Sequence, residues 1–320
     1  MRIAHRRAAI FGLLLPVLFF AVPVYAYDIT NGVRHSIPLS EIISSKVPKG
    51  GVPALTNPRF ATIEEADIFL LQETMGIGIE YKGETRFYPF SILLWHEVVN
   101  DTILGVPILV TYNPLSGTAV VFDRTIDGEV YEFKVSSKFW KSNLLMYNKA
   151  ENLRHESLWS QIQGTAVVGM HTGKKLAIRP YDVMAYNQWK TLHPDTKILS
   201  IRTPYGRNYA DDPYGIGGYY TSWDIAYGAK KELTPTMHPK QPVLGVRYNG
   251  KTKAYPLYTL AKGVTHDDFA GHTIKIDRKS YGDTRLYVVT PQGDVPLMYT
   301  VAYWFSWINA YPQSEVYLPE

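Results

Sequence analysis

The chain has 320 residues, no cysteine, and a formal charge of +4 at neutral pH, from 33 Lys and Arg against 29 Asp and Glu. Without a thiol there is no disulfide, no thiolate metal site, no cysteine nucleophile and no lipid-modified cysteine. Setting aside three arginines near the N-terminus brings the charge to about +1, and no clustered Lys/Arg run remains, so the basic surface that nucleic acid requires is missing and no nucleic-acid partner is expected.

Arg2, His5, Arg6 and Arg7 open the chain, Ala8 to Ala21 is almost continuously apolar, and Val24-Tyr25-Ala26 sets small or aliphatic residues where a signal peptidase reads. This predicts a signal peptide over Met1 to Ala26 and a periplasmic or secreted protein with no integral span after its removal. The apolar run is shorter than the ~20 residues that cross a bilayer and is interrupted by Pro16 and Pro23. The rest suffices for one large or two modest domains. Burial must stabilise it, and 24 Tyr, 12 Phe and 7 Trp supply the surface at roughly 25 cal/mol per Å².

Residues 27–76 read as an N-terminal extension. From Ile77 to Leu93 the chain then resembles itself: IGIEYKGETRFYPFSIL aligns without a gap with LGVRYNGKTKAYPLYTL, Leu244 to Leu260, at 7 of 17 positions. Chance at average usage would give about one. After a one-residue slip, Asn100 to Gly105 faces His266 to Gly271, and each copy later reaches a tryptophan-bearing helix stopped by proline, Trp189 to Pro194 and Trp307 to Pro312. We expect two related modules, 77–201 and 244–320, joined by a Tyr/Gly-rich segment, 202–243.

In each copy, alternation around Lys82-Gly83 or Asn249-Gly250 predicts a β-hairpin. Phe90 to Val99 has helical spacing and predicts a short helix closed before Asn100. Strands are expected at Val106 to Tyr112, Thr118 to Phe122 and Lys197 to Ile201, and around the turn Asp127-Gly128, with Asp182 capping the helix that runs to His193. Tyr205 to Tyr220 has neither period and reads as a long aromatic loop, the kind that often carries function. The fold class expected is α+β, mainly antiparallel β with a few short helices, internally duplicated.

A helix over 90–99 would put His96 and Asn100 one turn apart, with Glu97 and Asp101 as a second pair. The segment is close to the His-Glu-x-x-His zinc pattern, but Asn100 replaces the second imidazole, so no metal site is expected. The turn Asn113-Pro114-Leu115-Ser116-Gly117 offers Ser116 as a nucleophile without the Gly-x-Ser-x-Gly elbow. Strand alternation around Trp159 offers Ser160 and Gln161 as polar groups. In the loop, Tyr205, Arg207, Asp212 and Tyr214 could hold a polar ligand, or Arg207 and Asp212 could pair with each other. No haem, flavin or nucleotide motif is present and no cofactor is expected.

The succession GVPALTNPRF, YPFSILLWHEVVND, VTYNPLSGTAVVFDR, SNLLMY, ESLWSQ, HPDT and YGRNYADDPY resembles the bacterial domain-of-unknown-function 3179 family over nearly the whole mature chain. The resemblance implies an exported protein of uncharacterised activity. Members usually read Cys-Pro-Leu-Cys-Gly at the turn where this chain has Asn113 and Ser116, so thiolate redox or metal chemistry at that turn is closed to it.

Two functions follow as expectations. One is a non-catalytic module whose polar cluster, His96, Glu97, Asn100, Asp101, Asn113, Ser116 and the tyrosine loop, binds a small ligand or an envelope protein. The other is a hydrolase or lyase with His96 as general base, oriented by Glu97 or Asp101, and Asn113 with turn backbone stabilising an anion.

Overall fold

The computed structural model describes residues 26–215, 218–227, 237–280 and 282–319. The expected signal peptide, except its last residue, lies outside them, as does part of the 202–243 segment.

One kind of turn recurs. Lys82-Gly83, Leu104-Gly105, Asp127-Gly128, Asn249-Gly250 and Ala270-Gly271 have both residues at positive φ, between 46° and 84°. This is the two-residue turn whose twist matches that of paired strands. Each joins two adjacent antiparallel strands, so local chemistry sets the register: Tyr81 faces Glu84, Ile103 faces Val106 and Tyr248 faces Lys251.

The described residues are β-rich and mostly antiparallel, with a few short helices. An eight-stranded sheet runs in the order Glu315–Val316, Lys251–Pro256, Pro242–Tyr248, Tyr299–Tyr303, Thr118–Asp123, Val106–Asn113, Val98–Ile103, Leu55–Thr56. Strands from both sides of the 202–243 segment share it, joined where Ala119 faces Val301. A seven-stranded sheet contains Phe133–Trp140, Asn143–Asn148, Ser157–Ser160 and Thr165–Gly169. Phe133, Leu144, Met146 and Trp159 from it share one buried cluster with Val99, Leu109 and Val120 of the first.

Two units have the same plan. In a five-stranded sheet, Asp182–Ala185 pairs antiparallel with Met75–Tyr81, Met75–Tyr81 antiparallel with Glu84–Pro89, and Glu84–Pro89 parallel with Lys197–Leu199; helix Tyr186–Leu192 links the outer two. In the large sheet, Tyr299–Tyr303, Pro242–Tyr248, Lys251–Pro256 and Glu315–Val316 repeat that order and polarity around helix Trp304–Ala310. Trp189 and Trp307 are fully buried, and their indoles donate to Thr196 at 2.8 Å and Ser314 at 2.7 Å.

Two helix expectations change. The helix after Pro89 covers only Phe90–His96, because Glu97 turns left-handed at φ 56° and Val98 enters a strand against Thr111. The run 92–99, apolar except at His96 and Glu97, fits helix or strand equally, and β-branched Val98 and Val99 join the sheet. His96 and Asn100 are therefore not one helical turn apart. Asp182 caps no helix; it lies in a strand and pairs with Arg285 at 3.1 Å, and the helix starts at Tyr186.

Candidate functional site

The site is assembled at the end of helix Phe90–His96. Its last amide bond, from Glu97 N to Leu93 O at 2.7 Å, closes on a residue in the left-handed region, where glycine is usual. Glu97 thus carries two costs, a strained backbone and a carboxyl with 3% exposure. Asn113 Nδ2 donates to one carboxyl oxygen at 3.2 Å and the Tyr214 hydroxyl to the other at 2.9 Å. Burial pushes the Glu97 carboxyl up to about 7, and those two hydrogen bonds only partly offset it.

His96 has no exposed surface. Nδ1 lies 2.7 Å from the Pro53 carbonyl, which can only accept, so Nδ1 holds the proton and Nε2 accepts from the Tyr209 hydroxyl at 2.7 Å. Burial lowers the ring's pKa, keeping it neutral. Both nitrogens are committed, and neither faces Asn113 or Ser116.

Beneath lies a saturated polar network. Asn113 Oδ1 accepts from the amide of Ser116 at 3.1 Å and its hydroxyl at 2.6 Å. Asn143 Nδ2 reaches Ser116 Oγ at 3.1 Å and Gln161 Oε1 at 3.0 Å, while Gln161 donates to Thr111 Oγ1 at 2.9 Å and the Thr118 carbonyl at 3.0 Å. These five side chains are essentially inaccessible. A fully paired network of this kind fixes one arrangement of the strands that carry it. The Ser116 hydroxyl is spent inside it and is not presented to solvent.

The aromatic loop lies over these groups. Tyr209 reaches His96, Tyr214 reaches Glu97, and Tyr219 donates to the Leu115 carbonyl at 2.7 Å. Asp212 accepts from the amides of Tyr214 and Gly215 and from the Tyr220 hydroxyl, while Arg207 sits 5.4 Å over the Trp95 ring, so the two do not pair with each other. Tyr205, 38% exposed, packs its ring 5.5 Å from that of His96.

Beside Tyr205 opens a groove of about 490 Å³ lined by Thr56, Asn57, Arg59, Glu132, Lys134, Ser200, Arg202 and Thr203, among others. Lys134 and Lys149 lie 3.4 and 3.5 Å from Glu132. Arg202 approaches Glu65 only to 3.8 Å with a side chain 74% exposed, and Arg59 makes no ion pair among the described residues.

Of the residues expected to act, His96 joins Tyr205, while Glu97, Asn113, Ser116, Gln161 and Tyr214 form one connected set. Asn100 stands apart, holding Phe133 N and O at 2.7 and 2.8 Å. Asp101 is bonded to Arg86 and to Tyr88 at 2.6 Å, and Ser160 is buried in its strand. Sequence reasoning missed Asn143, Thr111, Arg59, Lys134 and Arg202, which come from separate segments without a shared motif. No three His, Asp or Glu side chains gather to hold a metal ion among the described residues, and no helix there is long and apolar enough to cross a membrane.

The family described as "Protein of unknown function (DUF3179)" matches residues 49–295. No curated protein and no solved structure matches the chain.

Proposed function

We propose that this chain, which belongs to the DUF3179 family, is an exported binding module that takes a small anionic, hydroxyl-bearing ligand in the groove beside Tyr205. One observation carries the reading. Arg59, Arg202 and Lys134 line a single open groove with one carboxylate, Glu132, and that carboxylate is already engaged by two lysines and by Thr56 at 3.0 Å. Arg59, without an ion pair among the described residues, and Arg202, held only loosely by Glu65 at 3.8 Å, offer two guanidiniums to a ligand's carboxylate or phosphate, the fork geometry that favours such groups. Thr56, Asn57, Ser200 and Thr203 add neutral hydrogen-bonding groups, and Tyr205 offers a ring face. The His96–Tyr209 pair below holds Tyr205 in place.

Export rests on the basic, apolar and small-residue succession of Met1 to Ala26. The reading also takes the two tryptophan units as copies of one module, supported by their matching strand order and by the 77–93 and 244–260 alignment. The one-residue slip falls where the first unit carries His96 and Glu97, so the second unit has no counterpart of the pair that supports Tyr205.

A hydrolase or lyase is the second reading, and Glu97 is what favours it. A buried carboxyl near 7 is poised to give or take a proton at neutral pH. His96, with both nitrogens engaged, would serve there as a support.

The test is thermal unfolding against hydroxy acids, sugar acids and sugar phosphates. A ligand at a hundred times its Kd should stabilise by about 2.7 kcal/mol. Arg59→Ala and Tyr205→Ala should each weaken it at least about tenfold. If no small anion raises the midpoint, or both variants bind as the parent does, the reading fails.

A further inference from the structure

A second groove, of about 790 Å³, is lined by Arg34, Lys49, Lys138 and Arg154 with Glu156 as its acid. Lys49 is committed to Glu156 at 2.5 Å and lies 4.0 Å over the Tyr147 ring. Arg34, Lys138 and Arg154 form no ion pair among the described residues; Lys138 donates to the Ser44 hydroxyl at 3.0 Å. The groove therefore presents three uncompensated cations.

The same walls expose aliphatic surface: Val33 at 42%, Leu153 at 72% and Met170 at 42%. One exposed apolar residue needs no explanation. Three, set among three free cations in one concavity, make a surface that is both basic and apolar. A small soluble anion would use the charges and leave the aliphatic side chains in water. A bilayer carrying anionic headgroups uses both.

The groove's rim points the same way. The hairpin Asp28–Thr30 and Val33–His35 supplies Val33 and Arg34 and further exposes Ile29 at 63%.

We propose that this face, centred on Arg34, Lys138, Arg154 and Leu153, docks the protein on an anionic lipid surface. The contact is peripheral. The cations meet headgroup phosphates and the aliphatic side chains enter the boundary between headgroups and acyl chains. It is independent of the groove beside Tyr205.

Vesicle co-sedimentation of the full chain tests it, with one third phosphatidylglycerol against pure phosphatidylcholine. The ratio of the two partition coefficients cancels the apolar contribution of the N-terminal stretch, and comparing each variant's ratio with the parent's cancels that of Arg2, Arg6 and Arg7. Each basic residue near an anionic leaflet strengthens binding about fivefold. The ratio should therefore fall at least about twentyfold in K138E/R154E, and should fall in the parent as salt is raised. Both positions are at the surface, and an unchanged unfolding midpoint checks that the variant is folded; R34E gives an independent reading. A ratio near one in the parent, or one that survives charge reversal, overturns the proposal. So does binding of glycerol phosphate or of a soluble anionic polysaccharide that K138E/R154E abolishes without any vesicle preference in the parent.

Discussion

Tyr214 donates its hydroxyl to the carboxyl of Glu97 at 2.9 Å, a contact made across 117 residues. It ties the aromatic loop to the helix end, and with Asn113 it is what the buried carboxyl has in place of water. Because the folded-state pKa of Glu97 is raised to about 7 from an ordinary 4.5, its favourable contribution is complete below pH 4.5 and is lost as pH rises through 7. The difference corresponds to about 3 kcal/mol. Glu97→Gln has no such ionisation. Denaturant unfolding of parent and variant at pH 5 and pH 8.5 should show the balance moving in the variant's favour by about that amount. His96 and His171 titrate in both proteins and drop out of the comparison. A difference that does not vary with pH would mean that Glu97 ionises normally.

Gly78 and Gly245 occupy equivalent places under Trp189 and Trp307. A Cβ at Gly78 would lie 2.3 Å from two carbons of the Trp189 ring, and one at Gly245 would lie 2.2 Å from two of Trp307. Backbone and indole cannot both stay where they are. Gly78→Ala and Gly245→Ala should each cost about 2–3 kcal/mol in chemical denaturation. Gly78→Ala combined with Trp189→Phe should be less destabilised than the two single costs summed, since the smaller ring relieves the clash. Strict additivity would remove the packing explanation.

The turns were legible because residue–glycine pairs with both φ values positive have few alternatives: Lys82-Gly83 and Asn249-Gly250 announce their hairpins in the sequence. The end of the first helix was not. Ile92 to Val99 is apolar except at His96 and Glu97, and a left-handed glutamate has no signature, so only Val98 pairing with Thr111 decides where the helix stops. The loop was recognisable as irregular from its glycines and tyrosines, but its contacts with His96 and Glu97 span more than a hundred residues, beyond any local pattern. Arg59, Lys134 and Arg202 are single basic residues in three distant segments. Only the folded chain sets them around one groove.

Asp101 accepts from Arg86, from the Tyr88 hydroxyl at 2.6 Å and from the Thr102 amide at 2.7 Å, with its side chain 6% exposed and that of Arg86 12%. Removing one member of such a pair leaves the other charge buried with less compensation. Asp101→Ala should therefore cost about 3–5 kcal/mol, and Asp101→Leu with Arg86→Met much less than Asp101→Ala alone. Asp267 holds Lys253 and Tyr255, each at 2.8 Å, in the second unit, and Asp267→Ala should act in the same direction. Equilibrium unfolding of these variants decides. An Asp101→Ala protein within 1 kcal/mol of the parent would reduce the trio to a surface-type pair.

His171 presents the opposite case, a buried polar ring without compensation. It is 3% exposed, its ring lies 5.3 Å from that of Tyr131 and 5.8 Å from that of Trp159, and neither nitrogen has a hydrogen-bond partner among the described residues. Burial lowers its pKa, so the folded protein holds it neutral. With the folded pKa below the unfolded 6.5, the stability it allows is complete above pH 6.5 and is lost as pH falls toward the folded value. An apolar ring in the same space forgoes both the unpaired nitrogens and that pH dependence. His171→Phe should raise stability by about 1 kcal/mol at pH 7.5, and its advantage should widen at pH 5. The check is urea unfolding at both values. A variant less stable than the parent at pH 7.5, with no widening at pH 5, would show that the histidine is paired in solution and that its burial is fully compensated.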